Sequence, residues 1–377
     1  MIDRRPADGY SGSMQTDFAI VIPSYDPDGN LPGYVAVLRA ACDAPILLVD
    51  DGSRPEAAAI VRRCAETVEG VSVAVHEANR GKGRALKTAF ARLLEEHPGL
   101  RGCVTCDCDG QHAPDDVVKC LAALKENPRA LVLGCRTFRW GRVPWKSWLG
   151  NHVMRLLFLF GTGRSFDDTQ TGLRAIPADF MRELLECPGE RFEFETRMLQ
   201  RTGGRPLVQV PIQTLYSDGN KGTHFKPFRD STRILCVLMA GLAATLAAFV
   251  VASVLSFGVD IGLFTLLYYG VFGDGTQGRL LFSVLLARVV SVVFNYSCNR
   301  YFVFRGVHKD RRFDGGAFLR YVFLAIGIMA ASYALTRLFW GLLPGVPVPW
   351  TKAVVDLVLF LASFSVQRMA IFRQRNA

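Results

Sequence analysis

Hydrophobic positions follow two different patterns along this chain. From Phe18 to about Arg233 short apolar runs alternate with amphipathic stretches. The runs Phe18 to Pro23, Pro45 to Val49, Gly70 to His76, Gly102 to Cys106 and Ala130 to Leu133 predict strands. Between them, Tyr34 to Ala41, Glu56 to Val68, Gly83 to Glu96 and Asp115 to Glu126 carry helical periodicity. Strand and helix in alternation predict an α/β fold, a doubly wound, mostly parallel sheet. Sheets of this kind bind ligands in the loops beyond the carboxyl ends of their strands.

From Leu235 onwards the pattern becomes continuous apolarity. Leu235 to Phe272 holds one charge, Asp260, and as a single helix at about 1.5 Å per residue it would reach about 57 Å, nearly twice a bilayer core. Two pieces are therefore expected: an interfacial helix over 227–247, with Arg229 and Arg233 near its start, and a spanning helix from about Ala248 to Tyr269. Leu280 to Tyr301, Phe318 to Leu342 and Lys352 to Phe372 are each about the length that crosses a membrane. The expected domains are a flexible tail over 1–16, a soluble domain over 17–226, the interfacial segment, and a four-helix membrane domain over 248–377.

Basic residues set the expected orientation. Arg300, Arg305, Lys309, Arg311 and Arg312 crowd one loop and Arg368, Arg373 and Arg375 the C-terminus, whereas Gly270 to Gly278 has no Lys or Arg. Positive loops face the cytoplasm, which puts the C-terminus and the soluble domain there, in a multi-pass protein of the cell's inner membrane. No apolar signal segment precedes Phe18, in keeping with that placement. The net charge of +10 (44 Lys and Arg against 34 Asp and Glu) then has a use at anionic lipid and phosphate, and no nucleic-acid motif accompanies it. The ten cysteines need no pairing in a reducing compartment. Cys103, Cys106, Cys108 and His112 are spaced loosely like zinc ligands, but a second ligand pair is missing and Cys103 to Cys106 falls inside a predicted strand.

Polar chemistry collects after the strands. Pro23-Ser24-Tyr25-Asp26 follows the first and Asp50-Asp51-Gly52-Ser53 the second. Asn79-Arg80-Gly81-Lys82-Gly83 follows the third and Cys106-Asp107-Cys108-Asp109-Gly110-Gln111-His112 the fourth. Two carboxylates one residue apart on a turn suit a hard divalent cation that keeps a diphosphate in its shell. Lys82 at the start of a helix offers a cation and backbone N–H groups to phosphate. Both the dinucleotide fingerprint and the Walker loop are absent. The residues thus point to a nucleotide site with a metal clamp and no P-loop.

In this order and spacing the motifs resemble family 2 glycosyltransferases of the A fold, and among them the dolichyl-phosphate (polyprenyl-phosphate) sugar synthases. The resemblance runs from about Asp17 to Arg233 and includes Gly134-Cys135-Arg136, the segment Asp168 to Arg174, and Arg191-Phe192-Glu193-Phe194-Glu195. It implies that Pro23, Tyr25, Asp50 and Asp51, with Lys82 and Asp107, hold the nucleotide, UDP or GDP. Asp107, Asp109 and Gln111 would hold Mg2+ or Mn2+ on the diphosphate. Arg136 with Arg139 or Arg142, and the loop carrying Lys221 and His224, would face the phosphate of a polyprenyl phosphate acceptor. Asp109, Arg136 and Glu195 form the expected catalytic set, Glu195 either on the sugar or orienting a basic side chain. A lipid monophosphate is already anionic, so an inverting transfer to it needs no general base.

The second half carries a resemblance of its own. Phe294 to Phe304 and Phe364 to Phe372 look like the repeated signature of the GtrA-like four-helix membrane proteins, which are associated with moving polyprenyl-linked sugars or partnering their synthases. Asp260, Arg288 and Asp356 are costly in lipid and are expected to form an internal polar site, Asp260 paired with Arg288. Other classes stay open: a sugar-phosphate nucleotidyltransferase, whose glycine-rich loop would stand where Pro23-Ser24-Tyr25 stands, and a non-catalytic scaffold or lipid-sugar flippase. A homo-oligomer is left open as well.

Overall fold

The computed structural model describes residues 17–136, 145–213, 227–271, 277–304, 314–342 and 348–372. Arg139, Arg142, Lys221 and His224 lie outside the described residues. The chain divides into two compact units, one drawn from Met1–His152 and Asp167–Ile234, the other from Val153–Phe166 and Leu235–Asn376.

The first unit is built on a seven-stranded sheet of order β3-β2-β1-β4-β6-β5-β7. Its strands are β1 (Phe18–Ser24), β2 (Ile46–Asp50), β3 (Val71–Val75), β4 (Gly102–Thr105), β5 (Leu131–Arg136), β6 (Arg174–Pro177) and β7 (Leu207–Ile212). β1 pairs in parallel with β2 and β4, β2 with β3 and β5 with β7, whereas β6 runs antiparallel between β4 and β5. The sheet is thus mixed with a parallel majority. Every residue of β1 and β2 is buried, as central strands covered on both faces must be.

Helices α1 (Leu31–Ala41), α2 (Pro55–Thr67), α3 (Lys82–Glu96) and α4 (Pro114–Glu126) supply the crossovers that parallel pairing requires. Leu31, Val35 and Leu38 of α1 and Val117, Cys120, Leu121 and Leu124 of α4 share one core with Ile20, Ile22 and Val104 of the sheet. Then come α5 (Trp145–Thr162), α6 (Ala178–Leu185) and α7 (Glu193–Gln200). β6, β7 and α5 to α7 go beyond the elements read from the pattern, because β6 is only four residues long and its Arg174 breaks the apolar run.

The second unit contains α8 (Pro227–Thr265) from Leu235 onward, α9 (Gln277–Cys298), α10 (Gly315–Leu342) and α11 (Val348–Val366). All four are long and apolar enough to cross a membrane. One expectation needs correcting: α8 runs as one helix of 39 residues, Pro227–Thr265, instead of two pieces divided near Ala247. Length alone argued for the break. The segment between Thr232 and Val251 offers no proline and a single glycine, Gly241, so nothing interrupts the helical hydrogen bonds.

α9 and α11 end alike. Each widens into a π-helical turn, Asn299–Val303 and Gln367–Ile371, and each is closed by a phenylalanine N–H, Phe304 N to Asn299 O (2.9 Å) and Phe372 N to Gln367 O (2.7 Å). The Phe304 and Phe372 rings stack at 5.2 Å, and Phe372 and Tyr296 are fully buried beside them. The two copies of the sequence signature thus form one aromatic core.

Candidate active site

The strand order reverses between β1 and β4, and the loops beyond β1, β2 and β4 leave the sheet at that edge. Pro23 and Ser24 finish β1 opposite Val49 and Asp50 of β2. Asp50 Oδ1 accepts from Ser53 N at 3.0 Å, and its backbone oxygen accepts from His76 N at 2.8 Å. Asp51 is only 3% exposed. Its Oδ1 accepts from His76 Nδ1 (2.7 Å) and Arg80 N (3.0 Å), and its Oδ2 from Gly81 N (2.7 Å). A carboxylate carries no proton to give, so His76 has its proton on Nδ1. Asp51 therefore holds the Arg80-Gly81 turn in place from inside the protein. Gly81 has φ +104°, and a Cβ there would stand 2.5 Å from Glu190 O.

That turn aims Lys82. Its ammonium lies 2.7 Å from Asp107 Oδ1 and 3.1 Å from Glu195 Oε2, tying the third and fourth loops to the start of α7. Glu195 is held from behind by Arg174, 1% exposed, whose Nη1 donates to Glu195 O at 2.8 Å and whose Nη2 is 3.8 Å from Oε1. His112 Nε2 is 3.4 Å from Asp107 Oδ2. Gly172 packs straight onto the Asp107 carboxylate, and a Cβ there would collide with it. Thr105 Oγ1 donates to Gly172 O at 2.9 Å, locking the two segments together.

These contacts decide the electrostatics. Burial alone would raise the Asp107 carboxyl, but the charges of Lys82 and His112 outweigh it and hold Asp107 well below the usual carboxylate range. Asp109 moves the other way, pushed up first by burial and then by the negative charge of Asp107. Burial also pushes up the Cys106 and Cys108 thiols, each to about 12, and Cys103 further. Among the described residues no group of three or more His, Cys, Asp or Glu side chains is arranged to hold a metal. The protein's own donors are the oxygens of Asp107 and Asp109, with Gln111 N donating to Asp109 Oδ1 at 3.1 Å. Two hard carboxylates, one of them strained by its neighbour's charge, fit a cation such as Mg2+ that takes the rest of its shell from phosphate and water.

Arg136, at the end of β5, forks onto the fully buried Asp168, Nε to Oδ2 at 2.6 Å and Nη2 to Oδ1 at 3.1 Å. Its side chain keeps 28% exposure. The Asp168 partner and the roles of Arg174, His112 and Gly172 were not foreseen. The segment Asp168 to Arg174 was quoted as a motif, but nothing in its spacing says which side chains turn inward. In the second unit Asp260 and Arg288 pair at 3.2 Å. Asp356 is not with them: it accepts from Lys352 Nζ at 2.7 Å and Ser332 Oγ at 2.5 Å.

Carboxylates and a lysine gathered at a switch point of the sheet, in a chain that also carries four membrane-length helices, define an α/β membrane protein with a charged cluster at its strand ends. Residues 19–186 match glycosyl transferase family 2, and 234–372 match the GtrA/DPMS transmembrane domain. The chain is thus a family 2 glycosyltransferase whose second part is a GtrA/DPMS multi-pass membrane domain.

Among its relatives is the UDP-N-acetylglucosamine–dolichyl-phosphate N-acetylglucosaminyltransferase of Methanococcus voltae, 28% identical over 218 residues, 53% of this chain and 86% of that protein. Another is the polyprenol monophosphomannose synthase of Mycolicibacterium smegmatis, 27% identical over 202 residues, 51% and 75% of the two chains. The solved mannosyltransferase PcManGT from Pyrobaculum calidifontis, in complex with GDP-Man and Mn2+, aligns with 95% of this chain and 88% of its own at 15% identity and a TM-score of 0.38.

Proposed function

We propose that the chain transfers a sugar from a nucleotide sugar, UDP- or GDP-linked, to a polyprenyl phosphate, inverting the anomeric centre. The observation that carries this reading is the Asp107–Lys82–Glu195 cluster at the strand ends of a protein with membrane helices. Relatives with dolichyl phosphate and polyprenol in their names support the acceptor class. A phosphate oxygen of the lipid attacks the anomeric carbon while the bond from that carbon to the nucleoside diphosphate breaks. The acceptor arrives without a proton to lose, so the protein's task is positioning and charge.

Asp107 and Asp109 would hold a Mg2+ or Mn2+ ion, which would supply positive charge toward the departing diphosphate. Lys82 balances Asp107 and reaches the diphosphate. Glu195, braced by Arg174, sets where Lys82 points. Arg136, oriented by Asp168, faces phosphate. Pro23, Tyr25 and Asp50 border the nucleotide, and Asp51 acts through the Arg80-Gly81 turn. The basic loops favour a cytoplasmic side of the inner membrane for this domain and the C-terminus, where nucleotide sugars are available.

Membranes containing the protein, incubated with radiolabelled nucleotide sugars, a polyprenyl phosphate and Mg2+, should yield labelled organic-extractable lipid. EDTA should remove that signal. Transfer undiminished by Asp107→Ala and Asp109→Ala would overturn the metal assignment, and no lipid product across a donor panel would overturn the acceptor assignment.

A further inference from the structure

The start of α3 is gripped from two sides. Asp51 holds the turn before it, and residues 189–194, the strap that feeds α7, lie against its other side. Arg84 N donates to Glu190 O at 2.9 Å, and Arg84 Nη2 and Lys87 Nζ each donate to Glu190 Oε1 at 3.0 Å. Burial pushes the Glu190 carboxyl up, but Lys87 and Arg84 outweigh it and hold it below the usual carboxylate range. The glycines on either side of Lys82 permit the close approach: a Cβ at Gly81 would run into Glu190 O, and one at Gly83 would stand 2.6 Å from Phe194 Cβ.

The strap is also tied to the helix it feeds. Glu193, the first residue of α7, accepts through Oε1 from Glu190 N at 3.2 Å and Arg191 N at 3.3 Å. Arg191 Nη1 donates to Asn79 Oδ1 at 3.3 Å, on the loop that leads to Lys82. α7 is eight residues long, too short to keep its place by helical hydrogen bonds alone, so the contacts at its start set where Glu195 lies. Glu190 thus stands outside the Asp107–Lys82–Glu195 cluster and bonds to both segments that deliver Lys82 and Glu195 to it. Its side chain is 41% exposed, so its ion pairs contribute little to global stability.

We infer that Glu190 is a positioning residue for sugar transfer: by clasping the strap to α3 it fixes the separation at which Lys82 meets Glu195. The inference rests on the reading of the chain as a transferase with a nucleoside diphosphate leaving group. Charge on that diphosphate grows as its bond to the sugar breaks, so a displaced Lys82 weakens the transition state more than the bound donor. The loss therefore falls on kcat and spares KM.

In full-length protein in nanodiscs, Glu190→Ala should lower kcat for lipid-extractable product about 10–100-fold, the scale of a 1 Å misplacement, with KM for the nucleotide sugar within about threefold. Glu190→Gln keeps the Oε1 acceptor and should return kcat to within about fivefold of wild type. In a Glu195→Gln background, Glu190→Ala should cost no more than about twofold further, because it acts through that contact. Amide hydrogen exchange on the same samples should rise in the peptide carrying Gly81 to Lys87 and stay unchanged in β1 and β2.

An unchanged kcat, a rise in KM alone, or a loss that multiplies in full with that of Glu195→Gln overturns the proposal. So does a Glu190→Gln variant as impaired as Glu190→Ala. If the wild type makes no lipid product, the enzymatic reading fails by itself, and the exchange measurement still decides whether Glu190 holds the Lys82 segment: unchanged exchange in Glu190→Ala overturns the clasp.

Discussion

Asp107 and Asp356 are both carboxylates held by a lysine ammonium at 2.7 Å, yet the two pairs are made in opposite ways. Lys352 sits one helical turn before Asp356, so the pair follows from the helix itself. Lys82 reaches Asp107 from another loop, and it arrives only because Asp51 grips the Arg80-Gly81 turn while Gly172 leaves room for the carboxylate. A local pair tolerates change around it. A pair assembled by four segments fails when any one of them shifts.

The sharpest test of this contrast is activity. Asp107→Ala or Asp109→Ala should cut sugar transfer about a thousandfold or more, in the range for lost charge stabilisation of a leaving group. Asp356→Ala should leave initial transfer rates within about twofold, since surface-like pairs contribute little. Equal losses at both carboxylates in a radiolabel assay would erase the distinction.

Glycines give the next comparison. A methyl at Gly172 must displace the Asp107 carboxylate, so Gly172→Ala should cost about 1–3 kcal/mol by thermal unfolding and most of the activity. Gly258, on α8, has nothing within 4 Å of a Cβ, and Gly258→Ala should stay within about 0.5 kcal/mol.

The lysines differ in their acid response. Asp107 has a depressed folded pKa, so its contribution to stability is complete above the unfolded value of about 3.9 and disappears as pH falls through the folded value. Lys82→Met removes the main lowering charge while burial still pushes the carboxyl up, so acid unfolding should begin at higher pH than in wild type. The cost at neutral pH is about 1–2 kcal/mol, less than for a fully buried pair because Asp107 keeps 32% exposure. Lys352→Met should cost about 0.5 kcal/mol or less.

The smallest effect concerns Asp260 and Arg288. A double-mutant cycle on their removal, read by thermal unfolding in detergent, should give a coupling of about 0.5 kcal/mol. A coupling several times larger would move this pair into the tightly assembled class with Lys82 and Asp107.

Much of the fold was legible because burial imposes a period. β1 and β2, apolar up to Ser24 and Asp50 at their ends and flanked by α1 and α2, can only be central strands with crossovers, and four long apolar stretches can only be helices of membrane length. β6 escaped because it is short and opens on a buried arginine, and the unbroken α8 escaped because a length limit was taken for a break. In the site, the paired aspartates and Lys82 stood out by residue type. Asp51 was noticed too, but its inward direction is set by the N–H groups of Arg80 and Gly81, which belong to a turn thirty residues on.

By itself the sequence determined the alternation of strand and helix, the membrane half, and which loops carry charge, because each is a local property of composition and period. Tertiary structure alone decided that Lys82 meets Asp107 and Glu195, that Arg136 meets Asp168, and that Asn299 meets Gln367. Those meetings depend on strand order and helix packing. A side chain's partner across the fold is fixed by where backbones cross, and no spacing along one segment records the crossing.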